Sequence, residues 1–186
     1  MITVRNATLD DAVRIAEIYE YYVNCTAISF EYDAPTPDEI RRRMEKTMER
    51  YPYFVVERNG VVEGYAYAGP FVGRPAYGWA CETSIYLSHT ARKCGMGRAL
   101  YEVMEKALQK MGVLNVYACI GLPEHEDEYL TRNSADFHAH LGYKQVAQFY
   151  KCGYKFDHWY HMIWMEKIIG THGEKQPQVI PYPDTL

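Results

Sequence analysis

Between a strand-like run and an amphipathic helix, Arg92-Lys-Cys-Gly-Met-Gly-Arg98 forms an Arg-x-x-Gly-x-Gly turn, an arrangement suited to gripping a pyrophosphate. On its N-terminal side, Thr83-Ser-Ile-Tyr-Leu-Ser88 carries the β-branched and aromatic residues of a strand. On its C-terminal side, Leu100, Val103, Met104, Ala107, Leu108 and Met111 recur as one helix face, and Gly112 closes it. A helix start leaves backbone N–H groups unpaired at the positive end of the dipole, so an anion settles there. Gly95 and Gly97 open the approach. The contacts would come from the amides of Lys93, Cys94, Gly95, Met96, Gly97 and Arg98, with the Arg92 and Arg98 guanidinium groups adding charge. Two other phosphate loops are excluded on residue type. The Gly-Lys-Ser/Thr ending of a nucleotide loop is absent, and Leu100 stands where a dinucleotide loop has its third glycine.

Other chemistry-bearing residues point to less. His138-x-His140 and His158-x-x-His161 lack the matching cysteine or carboxylate spacing of a metal site, so no metal is expected. The five cysteines, 25, 81, 94, 119 and 152, form no C-x-x-C pair and are odd in number, which predicts reduced thiols. A covalent cysteine route would need a neighbouring base that the spacing around Cys81 and Cys94 does not reveal. Net charge is −4, the isoelectric point is near 6.0, and no Lys/Arg run exceeds Arg41-Arg-Arg43, which argues against a nucleic-acid surface. No stretch of about 18 apolar residues spans a bilayer and Met1-Ile-Thr-Val-Arg5 does not read as a signal peptide, so a soluble, cytoplasmic protein with no membrane partner is expected.

The elements that must position the turn follow from local pattern. At 186 residues the chain has one substantial core, expected over residues 1–169, with a Pro-, Gln- and Gly-rich tail over 170–186 that reads as loosely held. Residues 2–5 read as a strand and Thr8-Leu-Asp-Asp11 as a helix start, with Ile15, Tyr19 and Tyr22 on its buried face. Thr36-Pro-Asp-Glu39 opens a second helix with a cap, an N1 proline and an acid. Residues 53–57 and 61–68 form a hairpin around Asn59-Gly60. The strand ending in Thr83–Ser88, the turn and its helix, and a strand over 115–122 imply one parallel pair. Residues 124–128 look too charged to pack. Asn133 can cap a short helix carrying Phe137 and Leu141, and residues 144–150 and 159–168 read as the last strands. The class is α+β with one mixed, mostly antiparallel sheet of about seven strands.

This order, with Ile28-Ser-Phe-Glu31, Glu82-Thr-Ser-Ile-Tyr-Leu-Ser88, Ile120-Gly-Leu-Pro123, Ser134 with His138, Leu141-Gly-Tyr143 and Gly153-Tyr-Lys-Phe156 with Trp159, resembles the GNAT N-acetyltransferases of the phosphinothricin acetyltransferase-like branch over residues 2–168. The chain departs from that branch where Glu124 follows Gly-Leu-Pro in place of Asn, and where Trp159-Tyr-His161 replaces Trp-x-Asp.

The resemblance implies acetyl-CoA as co-substrate, a small amino-acid-like amine as acceptor, direct transfer in a ternary complex, and a homodimer. It implies that the fourth and fifth strands splay, that the pantetheine arm pairs along Ile85, Tyr86 and Leu87, and that Asn133 stands in for the missing Asn. An amine with a pKa near 10.4 needs a base before it can attack. Glu82 is the candidate, and His138, where many relatives have a tyrosine that protonates the leaving thiolate, is the second. Which of them takes the amine proton stays open. For an acidic acceptor, Lys155 and Arg74 are the candidate cations, and Phe30, Tyr86 and Trp159 the candidate walls. Acetylation of another amine or a peptide N-terminus, and a non-catalytic acyl-CoA-binding domain, remain the rival readings.

Overall fold

A computed structural model describes residues 1–91 and 94–186, so the expected contacts of Arg92 and Lys93 lie outside the described residues. The elements run β1 (Ile2–Asn6), α1 (Ala12–Cys25), α2 (Pro37–Met48), β2 (Tyr53–Arg58), β3 (Val61–Pro70), β4 (Ala80–Leu87), α3 (Met96–Met111), β5 (Asn115–Leu122), α4 (Asn133–His140), β6 (Lys144–Lys155) and β7 (His158–Ile168). The seven strands form one sheet in the order β1-β2-β3-β4-β5-β7-β6, antiparallel except for β4 and β5. This is the expected mixed α/β class.

Local signals explain most boundaries. The Thr36 side chain accepts the Glu39 amide at 3.2 Å with Pro37 at the first helical position. Asn59 and Gly60 both take positive φ, 54° and 81°, as a tight two-residue hairpin turn demands. Asp11 ties the start of α1 to β1, accepting Thr8 N–H at 2.8 Å and both terminal nitrogens of Arg5 at 2.8 Å. The first turn, Leu9–Asp11, is 3₁₀ before α1 proper begins.

Strand alternation splits the core in two. Phe54, Val56, Ala66, Ala68, Cys81, Val116, Ala118 and Ile120 face α3, whose Leu100, Met104, Leu108 and Met111 are fully buried on them. On the other face, Tyr53, Val55 and Tyr65 meet Ile15, Tyr19, Ile40 and Met44 of α1 and α2.

Four expectations are corrected. Residues 170–186 are not loose: Trp79 Nε1 donates to Pro177 O at 2.6 Å, Ile180 N to Met111 O at 2.9 Å, and Tyr182 N to Arg50 O at 2.8 Å, with Val179 buried. Of the charged stretch one residue does pack: Asp127 accepts the Tyr129 and Leu130 amides and the Tyr160 hydroxyl, while Glu124, His125, Glu126 and Glu128 stay exposed as expected. Asn133 begins α4 without capping it; Thr131 Oγ1 accepts the Asn133 amide and Glu126 Oε1 the Arg132 amide. Finally, β6 runs on past Tyr150 to Lys155 through a register shift between Phe149 and Gly153. His161 supports that bulge: its Nδ1 accepts the N–H of Lys151, which sits at φ 48°. A carboxylate at position 161 could accept the same N–H.

Candidate active site

The parallel pair is brief. β4 and β5 pair only at Ala80 with Asn115, Cys81 with Val116 and Glu82 with Tyr117. Beyond Glu82 they diverge, while β5 stays paired to β7 as far as Leu122. Thr83 Oγ1 donates to Tyr117 O at 3.2 Å, bridging the strands where they part. A cleft opens there, lined by Ser84, Ile85, Tyr86, Cys119, Gly121 and His138. The stretch from Thr83 to Leu87 thus has no β5 partner along the edge on which the pantetheine arm was expected. The Leu87 carbonyl accepts the Tyr22 hydroxyl at 2.6 Å.

At the mouth, α3 begins after Gly95 at φ 79°, and its first helical bond is Ala99 N to Gly95 O. The amides of Met96, Gly97 and Arg98 therefore have no helical partner. The two glycines differ in role. A Cβ on Gly95 would meet open space, whereas one on Gly97 would strike the Phe137 ring at 3.0 Å, so Gly97 serves packing of α3 on α4. Met96 is fully buried, and Cys94 turns its thiol to Ala91 O. Arg98 is exposed and pairs with no carboxylate among the described residues. This edge and mouth fit an extended chain ending in a phosphate.

On the α3 face of the cleft, His138 is buried and engaged at both nitrogens. Nδ1 lies 2.7 Å from Ser134 O and Nε2 2.8 Å from the Tyr101 hydroxyl. A carbonyl only accepts, so Nδ1 carries the proton and Nε2 accepts from Tyr101. Burial holds its pKa below the ordinary histidine value. In this arrangement the ring is neutral, with its proton on Nδ1 and its Nε2 turned to Tyr101. Tyr101 also meets Thr83 Oγ1 at 3.3 Å, and Tyr143 reaches Thr83 at 3.5 Å. Sequence reasoning missed Tyr101, Thr83 and Tyr143; Tyr101 stands on the buried stripe of α3, and that was its only signal.

Glu82 points to the opposite face, since Thr83 beside it faces Tyr101. Its carboxylate is half-buried and makes no hydrogen bond or ion pair among the described residues. Burial raises its pKa above the ordinary carboxylate range. Cys119 lies on the same face; its surface is exposed, but the enclosure of its thiol by the strands and then the Glu82 charge raise its pKa above the ordinary thiol value.

The five expected acceptor residues do not all converge: Tyr86 lines the cleft. Phe30 packs on both Gly121 and Gly153, where a Cβ at Gly153 would overlap its ring, and so bounds the cleft. Lys155, expected as the acceptor's cation, is 3% exposed, with Nζ donating to Val23 O and Ser29 O, each at 2.7 Å. It fastens the end of α1 to the β6–β7 hairpin. Arg74 is exposed before the 3₁₀ turn Pro75–Tyr77, and Trp159 is exposed against Tyr154; neither lines the cleft. Asn133 is exposed beside the cleft-lining Ser134. Glu124 pairs with Lys151 at 3.1 Å. The described residues hold no cluster of metal-ligating side chains, and no helix is long and apolar enough to cross a membrane.

Known proteins share this arrangement. A phosphinothricin N-acetyltransferase from Streptomyces viridochromogenes is 34% identical over 159 residues, 86% of this chain and 83% of its own length. An L-methionine sulfoximine/L-methionine sulfone acetyltransferase from Salmonella typhimurium is 27% identical, spanning 92% of this chain and 96% of its own. The crystal structure of a GNAT superfamily phosphinothricin acetyltransferase from Sinorhizobium meliloti in complex with AcCoA superposes with a TM-score of 0.87 at 31% identity, covering 100% of this chain and 97% of that one. Residues 4–164 match the acetyltransferase (GNAT) domain family. With its short parallel pair, its splayed cleft and its glycine-led α3, the chain belongs to the GNAT acetyltransferase family.

Proposed function

We propose that this enzyme moves an acetyl group from acetyl-CoA to the amino group of a small amino-acid-like acceptor of the phosphinothricin or methionine sulfone and sulfoximine kind, by direct transfer in a ternary complex. The single observation that carries the reading is Glu82: a half-buried carboxylate with a raised pKa and no hydrogen-bond or ion-pair partner among the described residues, at the point where β4 and β5 part. The names of the relatives supply the acceptor class.

Acetyl-CoA, when bound, supplies the thioester carbon that an amine attacks and a thiolate that leaves. Along Ile85, Tyr86 and Leu87 the unpaired edge of β4 holds the pantetheine arm, with the amide near Leu87 donating to the developing oxyanion. The amides of Gly95 to Arg98, with the Arg98 charge, hold the pyrophosphate. Glu82 takes the ammonium proton, directly or through one water. His138 is a positioning residue: it fixes Tyr101, and Tyr101 meets the Thr83 that bridges the diverging strands. The thiols take no covalent part. Assembly as a homodimer in the cytoplasm completes the reading, and light scattering on the purified chain checks the dimer.

The test is CoA release from acetyl-CoA across phosphinothricin, methionine sulfone, methionine sulfoximine, ordinary amino acids and polyamines, with Glu82→Gln as control. Turnover centred on the first three and lost in the variant is expected. Turnover confined to polyamines would refute the acceptor class, and acetyl-CoA binding with no turnover on any amine would favour a binding domain.

A further inference from the structure

Beneath α2, on the Glu82 face of the sheet, lies a second cavity of about 280 Å³ whose walls include Glu31, Arg43, Lys46, Tyr53, Tyr65 and Tyr67. The three tyrosine rings stand stacked, with centroids 5.0 to 6.4 Å apart and planes within 15° of parallel. Tyr53 and Tyr65 are only 6% and 2% exposed, yet neither hydroxyl has a hydrogen-bond partner among the described residues. No fully enclosed side-chain oxygen is left unpaired among those residues, so both hydroxyl oxygens open to the cavity.

That is out of keeping with the protein's other buried tyrosines. Tyr19 meets Ser29 and Glu31, Tyr101 meets His138, and Tyr160 donates to Asp127. A pair of phenol hydroxyls that open to one cavity and have no protein partner among the described residues must be satisfied from within it, by water or by a group that accepts hydrogen bonds. Burial keeps both phenols protonated and therefore able to donate. At the rim, Arg43 spends its nitrogens on Glu31 and Glu39, and Glu31 is further taken up by Tyr19. Lys46 makes no ion pair or hydrogen bond among the described residues. The groups left free there among the described residues include two buried-ring O–H donors and an ammonium, which together suit an oxyanion.

Register puts this cavity within reach of the proposed base. Tyr67 pairs with Ser84, and Gly69 with Glu82, so Tyr67 is the diagonal neighbour of Glu82, about 7–8 Å away. We propose that the cavity binds the anionic end of the acceptor, a carboxylate, phosphinate or sulfonate carried several bonds from the amine, through Tyr53, Tyr65 and Lys46. The assignment rests on the reading of Glu82 as the base that receives the amine.

The test separates the two. Glutarate, a dianion with no amine, is titrated into the full chain without acetyl-CoA, so binding is read with no turnover. Saturable binding is expected, weakened at least about tenfold in Tyr53→Phe/Tyr65→Phe and in Lys46→Met, with the melting temperature and acetyl-CoA affinity kept. In steady state, KM for an anionic acceptor rises by a similar factor in these variants while KM for its uncharged amide analogue does not move. Glutarate binding that survives both variants, or no saturable binding at tens of millimolar, overturns the proposal and leaves a water-filled cavity. Loss of the Glu82 reading, by full turnover in Glu82→Gln, shows in the kinetics alone and leaves the glutarate result to judge the cavity.

Discussion

Three residues show how far a side chain's chemistry depends on its neighbours. Glu82 has no hydrogen-bond partner among the described residues and is half-buried, so its pKa rises; a base must be ionised to act, so the acidic limb of kcat/KM is expected at a higher pH than an ordinary carboxylate near 4.3 would give. Glu82→Gln is expected to lower kcat by about 10²- to 10⁴-fold and to remove that limb; a loss below about tenfold refutes the base. His138 is held neutral, with a folded pKa below the unfolded value near 6.5. As pH falls below about 6.5 the unfolded chain binds the proton first, so stability is lost in that direction, and His138→Gln is expected to flatten the slope in urea titrations run between pH 7.5 and about 5. Lys155 carries the plainest reversal. Its ammonium satisfies two buried carbonyls, so Lys155→Met is expected to cost about 2–4 kcal/mol in urea unfolding, with KM for acceptors unchanged if the protein is kept folded.

At the scale of elements, one short pairing makes the site. Because β4 and β5 share only three register positions, a cleft runs through the sheet, with α3 and α4 on one face and Glu82 on the other. The seating of α3 on α4 depends on Gly97, where an added methyl meets Phe137. Gly97→Ala is expected to lower stability by about 1–3 kcal/mol, and Phe137→Leu in the same chain to recover part of it. Additive losses in a thermal double-mutant cycle would show that the two do not touch. The β6 bulge offers a second check. His161→Asp keeps an acceptor for the Lys151 amide, whereas His161→Ala removes it and is expected to cost about 1–3 kcal/mol more.

For the whole molecule, the tail closes the core it was expected to leave alone. Removing residues 174–186 uncovers Trp79 and the end of α3 and deletes the bonds to Met111, Arg50 and Asn6. A loss of about 2–4 kcal/mol is expected, which for a chain this long lowers the melting temperature by roughly 5–15 °C. A shift of under about 2 °C would mean the tail contributes nothing.

What the sequence determined by itself is what is written in near neighbours. The 3.6-residue stripe of α3, the Thr36-Pro37 helix start, the Asn59-Gly60 turn and the strand alternation each fix local backbone, and their order fixes the class of fold. The glycine turn that leads into α3 was legible because its segment is short and specific, whereas Glu82 was picked out by resemblance. Only the tertiary structure decided which side chains meet: Lys155 lies 132 positions from Val23, Tyr101 lies 37 from His138, and Tyr182 is 176 from Asn6. Periodicity says that a side chain faces inward but not what it faces. A buried charge or hydroxyl takes its role from the partner it meets, or from the cavity it opens to where it meets none, because burial with neither is costly.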